Sequence, residues 1–317
     1  VAPAQYALPA DKLADVPVET MPAQDNAALL AEEEAARKPG RPETFAVTIP
    51  TTIRPATHGN WAEDGNTSVW RTLISSPGAR TLNLGFSEYN LPEGGELYLF
   101  SSEERFGPFT AADNEDHNQL WTPLVEGDEL MIELRVPTAV KNKVQLYLTA
   151  VNHDFVDVRN KLLPQECNID VVCSADDGYG IVDNYRDIIR SVAAYTIGER
   201  NVCTGFLVNN VNQDGTPFYM TAAHCGVGAG NAPQLVAYWN YENSFCRDVN
   251  LGGGPDSPGS DGSRSTFNTG ASWLATYGPS VMTSLLFEDP INPAANAFFA
   301  GWSAEAEVPT DTMIAVH

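Results

Sequence analysis

Between residues 41 and 155 apolar and polar residues alternate in short bursts, and each burst is closed by turn material. "FAVTIP", "SVWRTLISS", "RTLNLGFS", "ELYLFSS", "DELMIELRVP" and "KVQLYLTAV" all carry this rhythm, with "SPGA" and "LPEGGE" among the breaks. A period of two over runs this short is a strand signal, and helices need longer runs with a 3.6 period. Short strands at regular spacing predict a mainly β chain with a β-sandwich over 41–155. That block holds no cysteine and no cluster of catalytic residue types. Its acidic stretch "DNEDHN" (113–118) lacks the ligand spacing of an EF-hand calcium loop and reads as a solvated turn.

Residues 1–40 form an Ala/Pro/Glu-rich leader. Within it "DNAALLAEEEAARKPGRP" predicts a short helix, capped by Asp25 or Asn26 and ended by "KPGRP". The opening "VAPAQYALPAD" has neither a Met nor a basic, apolar signal, so the expectation is a secreted chain whose signal peptide has been removed. Residues 156–166 read as a linker. A second β-rich block occupies 167–317, with "RDIIRSVAAYT", "CTGFLVNN", "PFYMTAAHC", "QLVAYWNY", "SWLATY", "TSLLFE", "NAFFAGW" and "TMIAV" as its strand candidates. A Gly/Ser/Asp/Pro-rich loop interrupts it between Val249 and Gly270.

The formal charge of −23, from 18 basic and 41 acidic residues, disfavours nucleic acid and anionic membrane surfaces as partners. No apolar run reaches the length of a transmembrane helix. There is no phosphate-binding glycine motif, and no cofactor is expected. The five cysteines, Cys167, Cys173, Cys203, Cys225 and Cys246, contain no CxxC pair, so zinc is not expected and disulfides in an oxidising compartment are. Five is odd, which leaves one cysteine without a partner in this chain.

The chemistry-bearing stretch is "YMTAAHCGV" (219–227). "CTGFLVNN", the turn "QDGTP" and "FYMTAAHC" read as a hairpin that delivers His224 to a strand end, with Cys203 opening the first strand and Cys225 following the histidine. A general base needs that fixity, because proton transfer requires hydrogen-bond geometry. Small residues at Ala222 and Ala223 leave room for a neighbouring backbone or substrate. "TAAHC", with "CTGFLV" upstream, resembles the trypsin-like serine proteases. Together with "CNIDVVC", "RDIIRSVAAYT", "VAYWNYENSFCR" and "FFAGW" it resembles the bacterial lysyl endopeptidases, secreted proteases that cut after lysine. The likeness runs from about residue 162 to 317.

The resemblance implies a trypsin-like first β-barrel over 167–317, His224 as triad base, and disulfides Cys203–Cys225 and Cys173–Cys246. It implies that Cys167 pairs in a second barrel beyond this chain, which would be a partner of this half. The N-terminal residues then correspond to a prosegment, and Lys161–Leu162 becomes the candidate processing site. The resemblance also locates a break in the pattern. With "ATY" and "AGW" in register, the triad aspartate falls on Val281, between Ser280 and Met282. Valine cannot accept the histidine N–H, and losing that carboxylate costs about 10⁴ in turnover. Glu288 and Asp289 lie seven and eight residues on, too far along to substitute. Ser284 stands where the family strand usually has an apolar residue. The nucleophile belongs to the second barrel. "GSDGS" (259–263) precedes the aspartate strand, so Ser260 and Ser263 are in the wrong place to replace it. The expected function is therefore a secreted serine endopeptidase acting on protein or peptide substrates, with this chain inactive alone. The alternative is a non-catalytic pseudoprotease or binding protein.

Overall fold

The structure, a computed structural model, describes residues 16–38, 41–102, 104–156, 169–198, 201–247, 262–303 and 316. The chain divides into two compact units, residues 1–37 with 44–156, and residues 38–43 with 157–317.

The first unit is built on two sheets. One comprises β1 (Val18–Thr20), β4 (Asn60–Asp64), β5 (Thr67–Ser75), β7 (Glu96–Phe100), β8 (Arg105–Phe109) and β11 (Glu129–Pro137), in the order β1-β5-β11-β7-β8 with β4 also on β5. The other comprises β3 (Ala46–Ile53), β6 (Thr81–Asn90), β9 (Leu120–Trp121), β10 (Val125–Glu126) and β12 (Gln145–Asp154), in the order β10-β6-β12-β3 with β9 on β6. Both contribute fully buried side chains: Trp70, Ile74, Leu97 and Ile132 from the first, Leu82, Leu84, Phe86 and Val151 from the second. The six alternating stretches all became strands, because each has an apolar side to bury. Strands β4 and β8 carry little apolar alternation, and pairing along the sheet edge holds them. The β4–β5 hairpin turns in two residues, with Asp64 opposite Thr67 and Gly65 at φ +60°. Helix α1 (Asn26–Ala36) starts where Asp25 accepts the Ala28 amide at 3.0 Å.

The second unit is a curled sheet of β13 (Val192–Ile197), β14 (Asn201–Val208), β15 (Phe218–Ala222), β16 (Leu235–Trp239), β17 (Phe267–Thr269), β18 (Ala271–Tyr277) and β19 (Met282–Phe287). Their order is β17-β16-β13-β14-β15-β19-β18. The short helix α2 (Arg186–Ile189) leads into β13. The two ends of this order, β17 and β18, are separated in sequence by Gly270 alone, so one stretch of chain pairs with both edges and the sheet closes on itself. Gly270 donates its amide to the Leu235 carbonyl at 2.8 Å. Its φ of +74° lies in the left-handed region, and a β-carbon there would stand 2.0 Å from Glu288 Oε2. Glycine is the residue for such a corner.

Tyr195, Tyr219, Trp239 and Phe287 fill the centre. Their rings meet edge to face, at 5.1 Å for Tyr219–Phe287 and 5.9 Å for Trp239–Phe287. "NAFFAGW" departs from the strand expected there. Its ladder contact is a single parallel bridge, Val208 to Ala300. Asn296 takes a left-handed conformation, and Ala295, Ala297 and Phe299 plug the barrel core instead of pairing. Residues 312–315 of "TMIAV", the linker 156–166 beyond its first residue and most of the 249–270 loop lie outside the described residues.

Candidate active site

His224 sits in a one-turn 3₁₀ helix, Ala223–Cys225, directly after β15. The strand that carries it is anchored from inside the barrel. Tyr219 is fully buried and donates its hydroxyl to the Ala193 carbonyl at 2.9 Å. Thr221 donates its hydroxyl to the Thr204 carbonyl at 2.8 Å and lies 2.8 Å from the Tyr195 hydroxyl. Burial pushes the Tyr195 phenol well above its ordinary value, so that hydroxyl stays protonated and free to donate to Thr221. Alternation along β15 turns Thr221 inward, and the chain reaches solvent at His224, which is exposed.

Beyond the histidine, Gly226 takes φ +75° and ends the turn. Asn231 then holds the loop from both sides, accepting the Gly228 amide at 2.7 Å and donating to the Gly226 carbonyl at 3.1 Å. Cys203, in β14, and Cys225 are disulfide-bonded across 22 residues of sequence, which ties the His224 turn to the neighbouring strand. Cys173 and Cys246 form a second disulfide. Ring and sulfur atoms of His224, Cys203 and Cys225 lie within 4.8 Å of one another, as in a metal cluster, but the two sulfurs are bonded together and offer no thiolate to an ion.

Val281 stands beside this turn. Strands β15 and β19 are antiparallel with Ala222 opposite Met282, and the ladder ends where the Ala223 amide donates to the Val281 carbonyl at 3.0 Å. Val281 follows a 3₁₀ turn at Gly278–Ser280, takes φ +52° and ψ +42°, and is half exposed. Among the described residues no carboxylate and no serine hydroxyl is within hydrogen-bonding distance of His224. Glu288 and Asp289 lie past the other end of β19, whose Leu286 pairs with Phe218 at the start of β15, so the strand separates them from the histidine. Ser263 is exposed and its hydroxyl lies 2.8 Å from that of Ser265. Ser284 pairs with Met220 within the barrel wall. Cys167, Lys161, Leu162 and Ser260 lie outside the described residues.

Thr221 and Tyr195, the hydroxyls that fix the histidine's strand, escaped the sequence reading. Their signal was present: Thr221 falls on the inward phase of "FYMTA", where a polar residue needs a buried partner.

Family models account for most of the chain. Residues 18–155 match the lysyl endopeptidase N-terminal domain and residues 164–317 the lysyl endopeptidase C-terminal domain. A lysyl endopeptidase of Pseudomonas aeruginosa is 26% identical over 293 residues, covering 85% of this chain. The chain spans 60% of that relative's length. A closed β-barrel with an exposed histidine on a disulfide-tied turn, joined to two family matches in chain order, places the protein in the lysyl endopeptidase family.

Proposed function

We propose that this chain is the histidine-bearing part of a secreted serine endopeptidase that hydrolyses peptide bonds after lysine in its complete form. His224 is the general base. The carrying observation is the geometry of its turn: a rigid strand end, tied by Cys203–Cys225 and by the hydrogen bond to Val281, with the imidazole open to solvent. In a triad the base takes the nucleophile's proton and passes it to the leaving amine, while a carboxylate orients the ring. Val281 occupies the orienting position and the nucleophilic serine comes from a second barrel, so the chain alone is inactive. Residues 41–155 act as a prosegment domain, released at Lys161–Leu162, and the second barrel is this half's partner.

A serine-directed fluorophosphonate probe and a lysyl reporter peptide test the isolated chain, and labelling or turnover above background overturns the proposed inactivity. In the longer gene product, Val281→Asp is expected to cleave the reporter about 10⁴ faster than the unchanged form. N-terminal sequencing of secreted material is expected to start at Leu162, and an intact junction overturns that assignment.

A second reading rests on Val281 itself: a non-catalytic pseudoprotease that binds rather than cuts. Failure of Val281→Asp to restore turnover in the longer product favours it.

A further inference from the structure

The first unit holds a buried polar chain that the proposed protease chemistry does not use. Ser76 Oγ lies 2.8 Å from His153 Nδ1, and His153 Nε2 lies 2.9 Å from Asn26 Oδ1. Ser76 and His153 are both fully buried. The chain resembles a nucleophile, base and orienting amide, but no substrate reaches a serine at 0% exposure, so nucleophilic work is excluded.

The proton positions follow from the partners. Asn26 Nδ2 donates to the Gly78 carbonyl at 2.8 Å, which turns Asn26 Oδ1 toward the ring. An amide oxygen only accepts, so His153 Nε2 carries the proton. Nδ1 is then bare and accepts from the Ser76 hydroxyl. A neutral ring satisfies every bond in this chain. A second ring proton would point at the Ser76 oxygen, displace that hydroxyl's own hydrogen, and place a positive charge in a site without solvent.

Asn26 is the first residue of helix α1, and the helix depends on it. Eleven residues are too few for a stable isolated helix, and the only side chain α1 buries fully is Glu33. Glu33 accepts the Thr44 amide at 2.9 Å. Docking of the helix therefore rests on a polar pin near each end, with Leu29 and Leu30 half-buried between them.

We propose that helix 26–36 is a proton-released latch on the N-terminal sandwich, with His153 as its sensor. The charged groups on the elements around the ring are Asp25 at the helix cap, Asp128 before β11, Arg80 before β6 and Asp154 at the end of β12. Asp154 is engaged by the Thr81 hydroxyl and the Val156 amide, and Asp128 by the Gly78 amide. Burial holds the ring below the ordinary histidine range, and Asp128 opposes this only in part. The folded ring thus binds its proton more weakly than the released one. Docking is intact above the ordinary histidine value of about 6.5 and weakens as pH falls below it, by at most about tenfold per pH unit for one proton.

The test is amide hydrogen exchange of the full chain at about pH 7 and about pH 5, corrected for intrinsic rates. Residues 26–36 are expected to lose protection several-fold more than residues 82–86, in the sheet core. Asn26→Ala is expected to show low protection of the helix at both pH values. His153→Gln, which cannot charge, is expected to abolish the pH step. Equal helix protection at both pH values in the unchanged chain overturns the latch, as does a step that survives in His153→Gln. Should that variant misfold, the His153 ring is followed directly by NMR in the unchanged chain, and titration at or above the ordinary histidine value overturns the proposal.

Discussion

The Ala223 amide donates to the Val281 carbonyl at 3.0 Å, so the turn that presents His224 hangs on the backbone of the residue proposed for the triad-carboxylate position. That backbone is left-handed, with φ +52°, a conformation that asparagine, aspartate and glycine accept and a β-branched residue resists. The strain persists because the Gly278–Ser280 turn and the β19 ladder fix both sides of the residue. Val281→Asn is therefore expected to stabilise the barrel by about 1 kcal/mol. Val281→Asp should do so similarly while supplying the carboxylate. Denaturant midpoints check this, and a loss of stability with Val281→Asn would show that valine is not strained there.

The hydroxyl of Thr221 joins Tyr195 to the Thr204 carbonyl, one residue from the disulfide at Cys203. Thr221→Val keeps the shape and removes the bridge, leaving the buried Tyr195 hydroxyl and the Thr204 carbonyl without it. The expected cost is about 1–3 kcal/mol. Adding Tyr195→Phe removes the stranded donor, so the double variant should cost less than the sum of the two single ones. A double-mutant cycle in urea measures the difference, and strict additivity would mean the bridge carries no coupling.

Asp170 and Arg247 fasten the same two segments as the Cys173–Cys246 disulfide. The carboxylate takes the Arg247 Nε at 2.8 Å, the Arg247 amide at 3.1 Å and the Asn243 side chain at 3.2 Å. Burial by itself would raise the Asp170 carboxyl, but the bonds from Arg247 and Asn243 outweigh it and hold the group below its ordinary value. A depressed folded value means stability that is present above the ordinary aspartate range of about 4 and lost as pH falls through the folded value. Asp170→Asn leaves the Arg247 charge buried and is expected to cost about 3 kcal/mol at neutral pH. It should also flatten part of the acid limb of the stability curve, which thermal melts from pH 7 downward would record.

What could be read in the sequence follows physical range. Strands such as β5 and β11 announce themselves because alternation is a local consequence of burying one side. The helix at 26–36 had a cap and a stop within a few residues of its ends. Counting between "ATY" and "AGW" singles out position 281, yet the sequence hides its left-handed backbone, since valine argues against that conformation. "NAFFAGW" looked like a strand because apolar content does not distinguish pairing from plugging a core. The Ser76–His153–Asn26 chain joins residues 77 and 127 positions apart, and no local pattern reports a contact that the fold alone creates.

Barrel closure makes the last case, because it depends on one residue that the sequence presents as the end of a loop. Gly270 lets a single stretch of chain leave the β16 edge as β17 and join the β19 edge as β18. Any side chain there meets two obstacles, the positive φ and the Glu288 carboxylate. The carboxylate is the end of a flexible side chain and can swing away, whereas the backbone conformation cannot be relieved without opening the corner. Gly270→Ala is thus expected to cost about 1–2 kcal/mol, mostly from φ. Gly270→Val should cost more, because a branched β-carbon tolerates that region least. Removing the carboxylate with Glu288→Ala should recover little of the Gly270→Ala loss. Denaturant melts of the three variants separate the terms, and near-full recovery would mean that the clash, not the backbone, reserves this corner for glycine.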